Sequence, residues 1–133
     1  AIDAEGLQAA SPYLFQVGTM SGRMVLDPKP CWEGLIGDLR QRVARGIIAA
    51  RFHRGLAQAL VAMAIDLAAR TGVARVALSG GVFQNRILFD LVQDGLCDAG
   101  LQVLAHRQVP ANDGGLALGQ AAIAAARLIR QRY

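Results

Sequence analysis

Cysteine is scarce in this chain. Cys31 and Cys97 stand far apart and no Cys-x-x-Cys pair exists. That argues against a structural zinc site and against a dithiol redox motif. Both cysteines fall in helix-like segments and read as buried apolar thiols, and so low a count suits a reducing cytoplasm. Aromatic residues make up only 5%, so Ala, Leu, Ile and Val must supply the core, which fits helices packed on a sheet better than an all-β sandwich. Long hydrophobic runs are lacking too. The longest, over residues 55–69, is interrupted by Gln58 and Asp66 and falls short of the ~20 residues a membrane span needs. No signal peptide is visible.

What is present describes a globular unit. Apolar residues reach 53% of 133 positions, enough for one domain with a real core and too few for two ordinary ones. Fourteen Lys and Arg against ten Asp and Glu leave a formal charge of +4. Such an excess suits either a polyanionic partner or a solvated, Arg-rich helix surface. The arginines are dispersed and do not alternate with aromatics as on a base-stacking platform, which favours the solvated surface and disfavours nucleic acid as a partner. The first residue is Ala1 rather than Met, which suits a C-terminal fragment of a longer multidomain enzyme, with residues 1–133 as a single domain.

Residues 1–10 form a mixed segment, a frayed end or a helix stub. Two short strands are expected over 13–17 and 23–26, with Gly18 and Ser21-Gly22 between them as a hairpin turn. Asp27-Pro28-Lys29-Pro30 sets up a helix over 31–43, with Trp32, Leu35, Ile36 and Leu39 inward. The next helix carries Ile48, Phe52, Leu56, Leu60, Met63 and Leu67 on one face and ends at Gly72. A strand over 73–78, a helix over 85–97 with Ile87, Leu88, Leu91, Val92 and Leu96 inward, and a strand over 101–105 make a right-handed crossover unit. An Ala-rich helix over 115–130 closes the chain. Gly119 inside it suggests close packing against the sheet.

Two corners follow the two later strands: Ser79-Gly80-Gly81-Val82-Phe83-Gln84-Asn85-Arg86 and Val109-Pro110-Ala111-Asn112-Asp113-Gly114-Gly115. In an open α/β sheet, ligands bind outside the carboxyl ends of strands, at such places. A glycine corner admits a ligand close to the backbone, and the following helix offers N–H groups to an anion. The first corner is neither a P-loop nor a GxGxxG fingerprint. Asn85 either meets a ribose hydroxyl or phosphate oxygen or caps the helix. Asp113 either ligates a hard or borderline cation or caps the helix after it. One carboxylate is no metal site by itself, and no co-ligand set is obvious. His53 adjoins the apolar stripe and reads as a partly buried structural residue. His106, just after a strand, could turn toward the site. No nucleophile–base arrangement stands out, so the catalytic residues are unknown.

These residues carry a family resemblance. Phe52-His53-Arg54-Gly55-Leu56, Leu78 to Arg86, and Val109 to Gln120 resemble the carboxy-terminal end of the HypF family of hydrogenase-maturation carbamoyltransferases, over about residues 26–127. The resemblance implies an α/β fold, the second lobe of a threonylcarbamoyl-transferase-like domain in the actin-like ATPase (ribonuclease H-like) superfamily, with a mixed sheet and packed helices. It implies a parent that uses carbamoyl phosphate and ATP to form carbamoyl-adenylate, then carbamoylates the C-terminal cysteine of a HypE-type acceptor, the source of the cyanide ligands of [NiFe]-hydrogenase. By motif, Gly80, Gly81 and Asn85 would contact the nucleotide, and Asp113 would ligate a divalent metal (Fe, Zn or Mg) with first-lobe histidines absent from this chain. Ser79, Asn112 and Gly114 would support them. The missing N-terminal domains of the same chain would then be partners, and the isolated chain would be inactive. A more distant resemblance is to the family that makes threonylcarbamoyl-adenosine in tRNA, which usually has small residues where this chain has Phe83-Gln84. The rival from another class is a docking module that binds no nucleotide. The pair of corners favours the enzyme, since docking alone has no need of both.

Overall fold

A computed structural model describes residues 10–130; the expectation for 1–10 lies, except for Ala10, outside the described residues. The chain opens with an antiparallel hairpin, β1 (Gln16–Met20) and β2 (Arg23–Asp27), paired from Gln16↔Asp27 to Met20↔Arg23. The turn is Ser21-Gly22 alone. Both residues have positive φ, 52° and 77°, the mirror-image turn that matches the twist of paired strands. Gly18, expected in the turn, lies inside β1 opposite Val25. The first strand therefore starts and ends about three residues later than the pattern suggests.

Helix α1 (Lys29–Arg40) starts where the prolines place it, and the Asp27 carboxylate accepts from the Lys29 N–H at 2.9 Å. It stops short of Val43, because Arg42 turns left-handed at φ 56°. Helix α2 (Arg45–Thr71) is the longest element and ends as expected, with Gly72 left-handed at φ 72° and its N–H bonded to Ala68 O. Strands β3 (Arg75–Leu78) and β4 (Gln102–Ala105) pair in parallel and are joined through α3 (Arg86–Asp98). Helix α4 (Leu116–Arg130) follows. The α/β class is borne out. The antiparallel and parallel pairs are two separate two-stranded sheets rather than one continuous mixed sheet.

Helix α2 runs past two apolar clusters. In one, Ala57 meets Leu78 of β3 and Leu88, Val92 and Leu96 of α3. In the other, Ile48 meets Tyr13 and Cys31. The buried positions of α2 are Ile48, Ala50, Gly55, Ala57 and Ala59, mostly small residues; of the expected stripe, Ile48 is buried, Phe52, Leu56 and Leu60 pack against the two clusters, and Leu67 is 45% exposed. A small residue is required where a neighbouring backbone comes close, as at Gly55 against Tyr13. A Cβ built on Gly95 of α3 would sit 2.9 Å from a Val61 methyl. Three further expectations fail. Cys31 is fully buried, but Cys97 faces solvent. Of the inward set on α1, Trp32, Ile36 and Leu39 are exposed. Gly119 has open space around it, in a helix with no buried residue, so close packing does not explain it.

A buried polar knot ties the second cluster together. The Tyr13 hydroxyl and the Arg51 guanidinium both donate to Oδ2 of Asp38, the latter at 2.7 Å. The Tyr13 backbone N–H donates to Arg51 O at 3.1 Å. Gly55 makes this approach possible: a Cβ there would lie 2.1 Å from Tyr13 O. Gly55→Ala should therefore destabilise the fold by about 2 kcal/mol or more, since backbone rather than a flexible tip must move; a denaturant midpoint equal to wild type would refute the packing.

The knot also sets a pH dependence. The Tyr13 hydrogen bond, with Arg51 adding to it, holds the Asp38 carboxyl below its ordinary range against the opposing effect of burial. Burial and the Asp38 carboxylate push the Tyr13 phenol up to about 12. A lowered carboxyl stabilises the fold above its unfolded pKa and loses that contribution as pH falls through the folded value. A raised phenol stabilises below its unfolded pKa of about 10 and loses that contribution as pH climbs toward the folded value. Urea midpoints measured against pH should fall between about pH 10 and 12 in wild type, and that alkaline fall should shrink in Tyr13→Phe.

Candidate functional site

The parallel register of β3 and β4 brings both strand ends to one edge, and the two corners meet there. The Gly80 N–H donates to Ala111 O at 2.7 Å. One residue earlier, Ser79 Oγ and His106 Nε2 lie 3.0 Å apart. Segments separated in sequence thus form one surface, and His106 does turn toward it.

The first corner is built by conformation. Gly80 adopts φ 105°, ψ 157°, a region open to glycine and almost nothing else. Residues Gly81–Gln84 then make one 3-10 turn, with Phe83 N–H bonded to Gly80 O and Asn85 N–H to Val82 O, each at 3.1 Å. Phe83 anchors the turn edge-on against Phe89, ring centroids 6.3 Å apart. Gly81 is exposed, and nothing lies within 4 Å of where its Cβ would be. The two glycines therefore differ: the backbone needs Gly80, while Gly81 leaves room outside. Asn85 is the cap of α3, its Oδ1 accepting from the Leu88 N–H at 3.2 Å. Its amide nitrogen lies 2.8 Å from His53 Nε2, and His53 Nδ1 lies 2.7 Å from Ala49 O. No acidic side chain occupies the first turn of α3, which leaves its dipole uncancelled.

The second corner is built by close approach. A Cβ on Gly115 would sit 2.6 Å from Pro110 O. Asn112 Oδ1 accepts from the Gly114 N–H at 3.0 Å and caps the turn Asp113–Gly115. The capping role considered for Asp113 thus belongs to Asn112. The Asp113 carboxylate is exposed and makes no hydrogen bond or ion pair among the described residues, so its oxygens are available to a cation. No group of three or more potential ligands occurs among the described residues. Asp113 can supply one ligand of a metal centre and no more. Of the residues singled out from sequence, Ser79, Gly80, Gly81, Asn85, Asn112, Asp113 and Gly114 all lie in the two joined corners. His53 was missed as a site residue. Its position inside the Phe52 to Leu56 motif was the available signal.

A groove of about 600 Å³ lies elsewhere, between α2 and α3, lined by residues such as Ala57, Val61, Ile87, Leu91 and Gly95. No corner residue borders it, and its mainly apolar lining also includes Arg54, Asp90 and Asp94.

This architecture is that of the second subdomain of a Kae1-like domain. The solved structure of full-length HypF in its phosphate- and nucleotide-bound form matches with a TM-score of 0.83 and 33% identity, over 89% of this chain and 16% of that one. The chain belongs to the carbamoyltransferase HypF family: the family model described as "Carbamoyltransferase, Kae1-like Domain, second subdomain" matches residues 1–120. The carbamoyltransferase HypF homolog of Cupriavidus necator is 54% identical over 84 residues, 63% of this chain and 21% of that protein. The carbamoyltransferase HypF of Rhodobacter capsulatus is 43% identical over 104 residues, 77% of this chain and 13% of that protein. The chain thus spans about a fifth or less of the length of these two relatives.

The two glycines of the first corner should separate in a stability measurement. Gly80→Ala should cost about 1–3 kcal/mol, because Ala must be held in a region it avoids. Gly81→Ala should stay within about 0.5 kcal/mol of wild type, as expected of an exposed, unstrained site. Equal unfolding midpoints for the two variants would contradict the backbone assignment.

Proposed function

We propose that this chain forms one wall of a nucleotide cleft in a larger carbamoyltransferase. In this reading the parent uses carbamoyl phosphate and ATP to form carbamoyl-adenylate, with phosphate and pyrophosphate released, then passes the carbamoyl group to the thiol sulfur of the C-terminal cysteine of a HypE-type acceptor, the C–S bond forming as the C–O bond to AMP breaks and AMP and the thiol proton leave, for the cyanide ligands of [NiFe]-hydrogenase. The observation that carries it is the 2.7 Å hydrogen bond from Gly80 to Ala111, which fuses two glycine corners at the carboxyl edge of a parallel pair, where α/β folds bind ligands. The likeness to full-length HypF in a phosphate- and nucleotide-bound form supports it.

Each corner residue has a part in this reading. Gly81 lets the nucleotide approach the backbone, since any side chain there would fill the open space. Asn85 offers its amide to a ribose hydroxyl or phosphate oxygen while capping α3. Ser79, held by His106, and the corner residues Asn112 and Gly114 shape the floor around them. Asp113 supplies one carboxylate to a divalent metal, for which its free, exposed oxygens fit; the remaining ligands come from other parts of the parent. Such a metal would neutralise phosphate charge. The chain's own contribution is binding and orientation.

The missing N-terminal domains of the parent are the partners expected for the bare apolar surface. Leu116, Leu128 and Ile129 of α4 are each more than 60% exposed, which is costly for side chains of this kind unless another surface covers them. No helix among the described residues is long and apolar enough to cross a membrane.

Asp113→Asn in the full-length parent separates a ligand from a structural residue. The carboxylate caps nothing, so the unfolding midpoint should shift by less than about 0.5 kcal/mol equivalent. A dication needs the charge and the carboxylate oxygens, so bound metal and ATP-dependent carbamoyl transfer should both fall sharply. Full metal occupancy and full turnover in the Asn variant would end the metal assignment.

A further inference from the structure

His53 belongs to neither corner, yet it sits between the long helix and the first one. Its hydrogen bonds admit one consistent placement of protons. Nδ1 lies 2.7 Å from Ala49 O. A carbonyl only accepts, so Nδ1 carries the hydrogen. In the neutral ring Nε2 is then an acceptor, and the atom 2.8 Å from it is the Asn85 amide nitrogen, which only donates. The other end of the amide is fixed independently, because the Leu88 N–H donates to Asn85 Oδ1 at 3.2 Å. Two neighbours on two different helices therefore agree on the orientation of one amide. A backbone carbonyl of α2 decides, through the imidazole, which atoms Asn85 can show to a ligand.

We propose that His53 is a positioning residue for nucleotide binding: it locks the Asn85 amide so that the second N–H of Nδ2 is the group offered outward. That N–H has no partner among the described residues, and Asn85 is exposed. The ligand atom met there is then an oxygen acceptor, on the ribose or on a phosphate. A freely rotating Asn85 would present acceptor and donor interchangeably and would discriminate neither. The inference rests on the nucleotide reading of this site.

The test uses the full-length parent, with calorimetric ATP affinity and the thermal midpoint measured side by side. His53→Phe keeps a ring of similar shape and removes the acceptor. It should weaken ATP binding by about three- to tenfold, the worth of one hydrogen bond, with little change in midpoint. His53→Gln, whose Oε1 can accept in place of Nε2, should bind more tightly than the Phe variant. Asn85→Ala should weaken binding by a similar factor, and the Asn85→Ala/His53→Phe double variant should be no weaker than Asn85→Ala alone, because both changes remove the same contact. Parallel titrations with adenosine locate the acceptor: a loss on adenosine and ATP places it on the ribose, a loss on ATP alone on the phosphates. Losses that multiply in the double variant, or wild-type affinity in His53→Phe beside a weakened Asn85→Ala, overturn the positioning role. Wild-type affinity in Asn85→Ala overturns the nucleotide reading itself. If the Phe variant does not fold, His53→Gln decides alone: affinity close to wild type supports the positioning role, and a loss as large as that of Asn85→Ala overturns it.

Discussion

One buried carboxylate organises the part of the molecule that holds the hairpin and helix α1, and through helix α2 it reaches the corners. Asp38 accepts from Tyr13 and Arg51, which brings the extended segment before the hairpin, helix α1 and helix α2 to a single point. A buried charge pair is a poor source of net stability, because desolvation takes back much of the attraction. Its consequence is geometric. Once the carboxylate is out of water, each of its donors must be present, and only one packing of the three segments supplies both. Gly55 then has to be glycine, because the Tyr13 carbonyl occupies the place of its side chain. Helix α2 is one unbroken rod of 27 residues. Fixing Arg51 therefore also fixes His53 one small step along and Ala57 against α3, so the position of the Asn85 amide descends from a knot on the other side of the helix.

The elements legible in the sequence were those whose signals are local. Gly72 marks the end of α2 because only the left-handed conformation closes that helix, and the strand–helix–strand order from Arg75 to Ala105 follows from short apolar runs separated by a 3.6-residue pattern. The face of α3 was legible too, since Leu88, Val92 and Leu96 of its expected inward set are buried and Leu91 packs beside them, whereas the faces of α1 and α2 were legible only in part. Periodicity reports which positions share a side and says nothing about what covers that side. On α2 the buried positions proved to be mostly small, Ala50, Gly55, Ala57 and Ala59 beside Ile48, and small residues are invisible to a search for large apolar ones. On α1 the expected inward set is mostly exposed. Cys97 fails for the same reason: the buried ridge of α3 runs through Leu88, Val92 and Leu96, and the residue after it has already turned outward.

At the candidate site, backbone chemistry was readable and side-chain partnership was not. Glycine pairs after strands announce corners, and both are present. Neither histidine's partner could be found by local reasoning, since His53 reaches Asn85 and His106 reaches Ser79 only through the tertiary fold. The second corner shows how fine the margin is. Asn112 and Asp113 are both favoured caps and adjacent in sequence, so composition cannot choose between them. The fold chooses Asn112, and the choice matters because it leaves the charged neighbour without an internal task.

Of three glycines at the joined corners, two answer to different constraints of the fold and the third to none. Gly80 is required by its dihedral angles, Gly115 by a carbonyl 2.6 Å from its missing Cβ, and Gly81 by neither. A residue that the fold does not require, at an exposed turn flanked by residues that it does, is the place where an external demand is most visible. The same asymmetry separates Asn112, tied into its turn, from Asp113, which is not. In each corner the fold consumes one residue and spares the next, and the spared pair lies on the edge where Gly80 meets Ala111. A single carboxylate and a bare glycine cannot hold a phosphate and a cation unaided, because a dication takes several ligands and an anion several donors. What they can do is complete a surface whose other ligands come from elsewhere, and that is the physical sense in which this subdomain is half of a site.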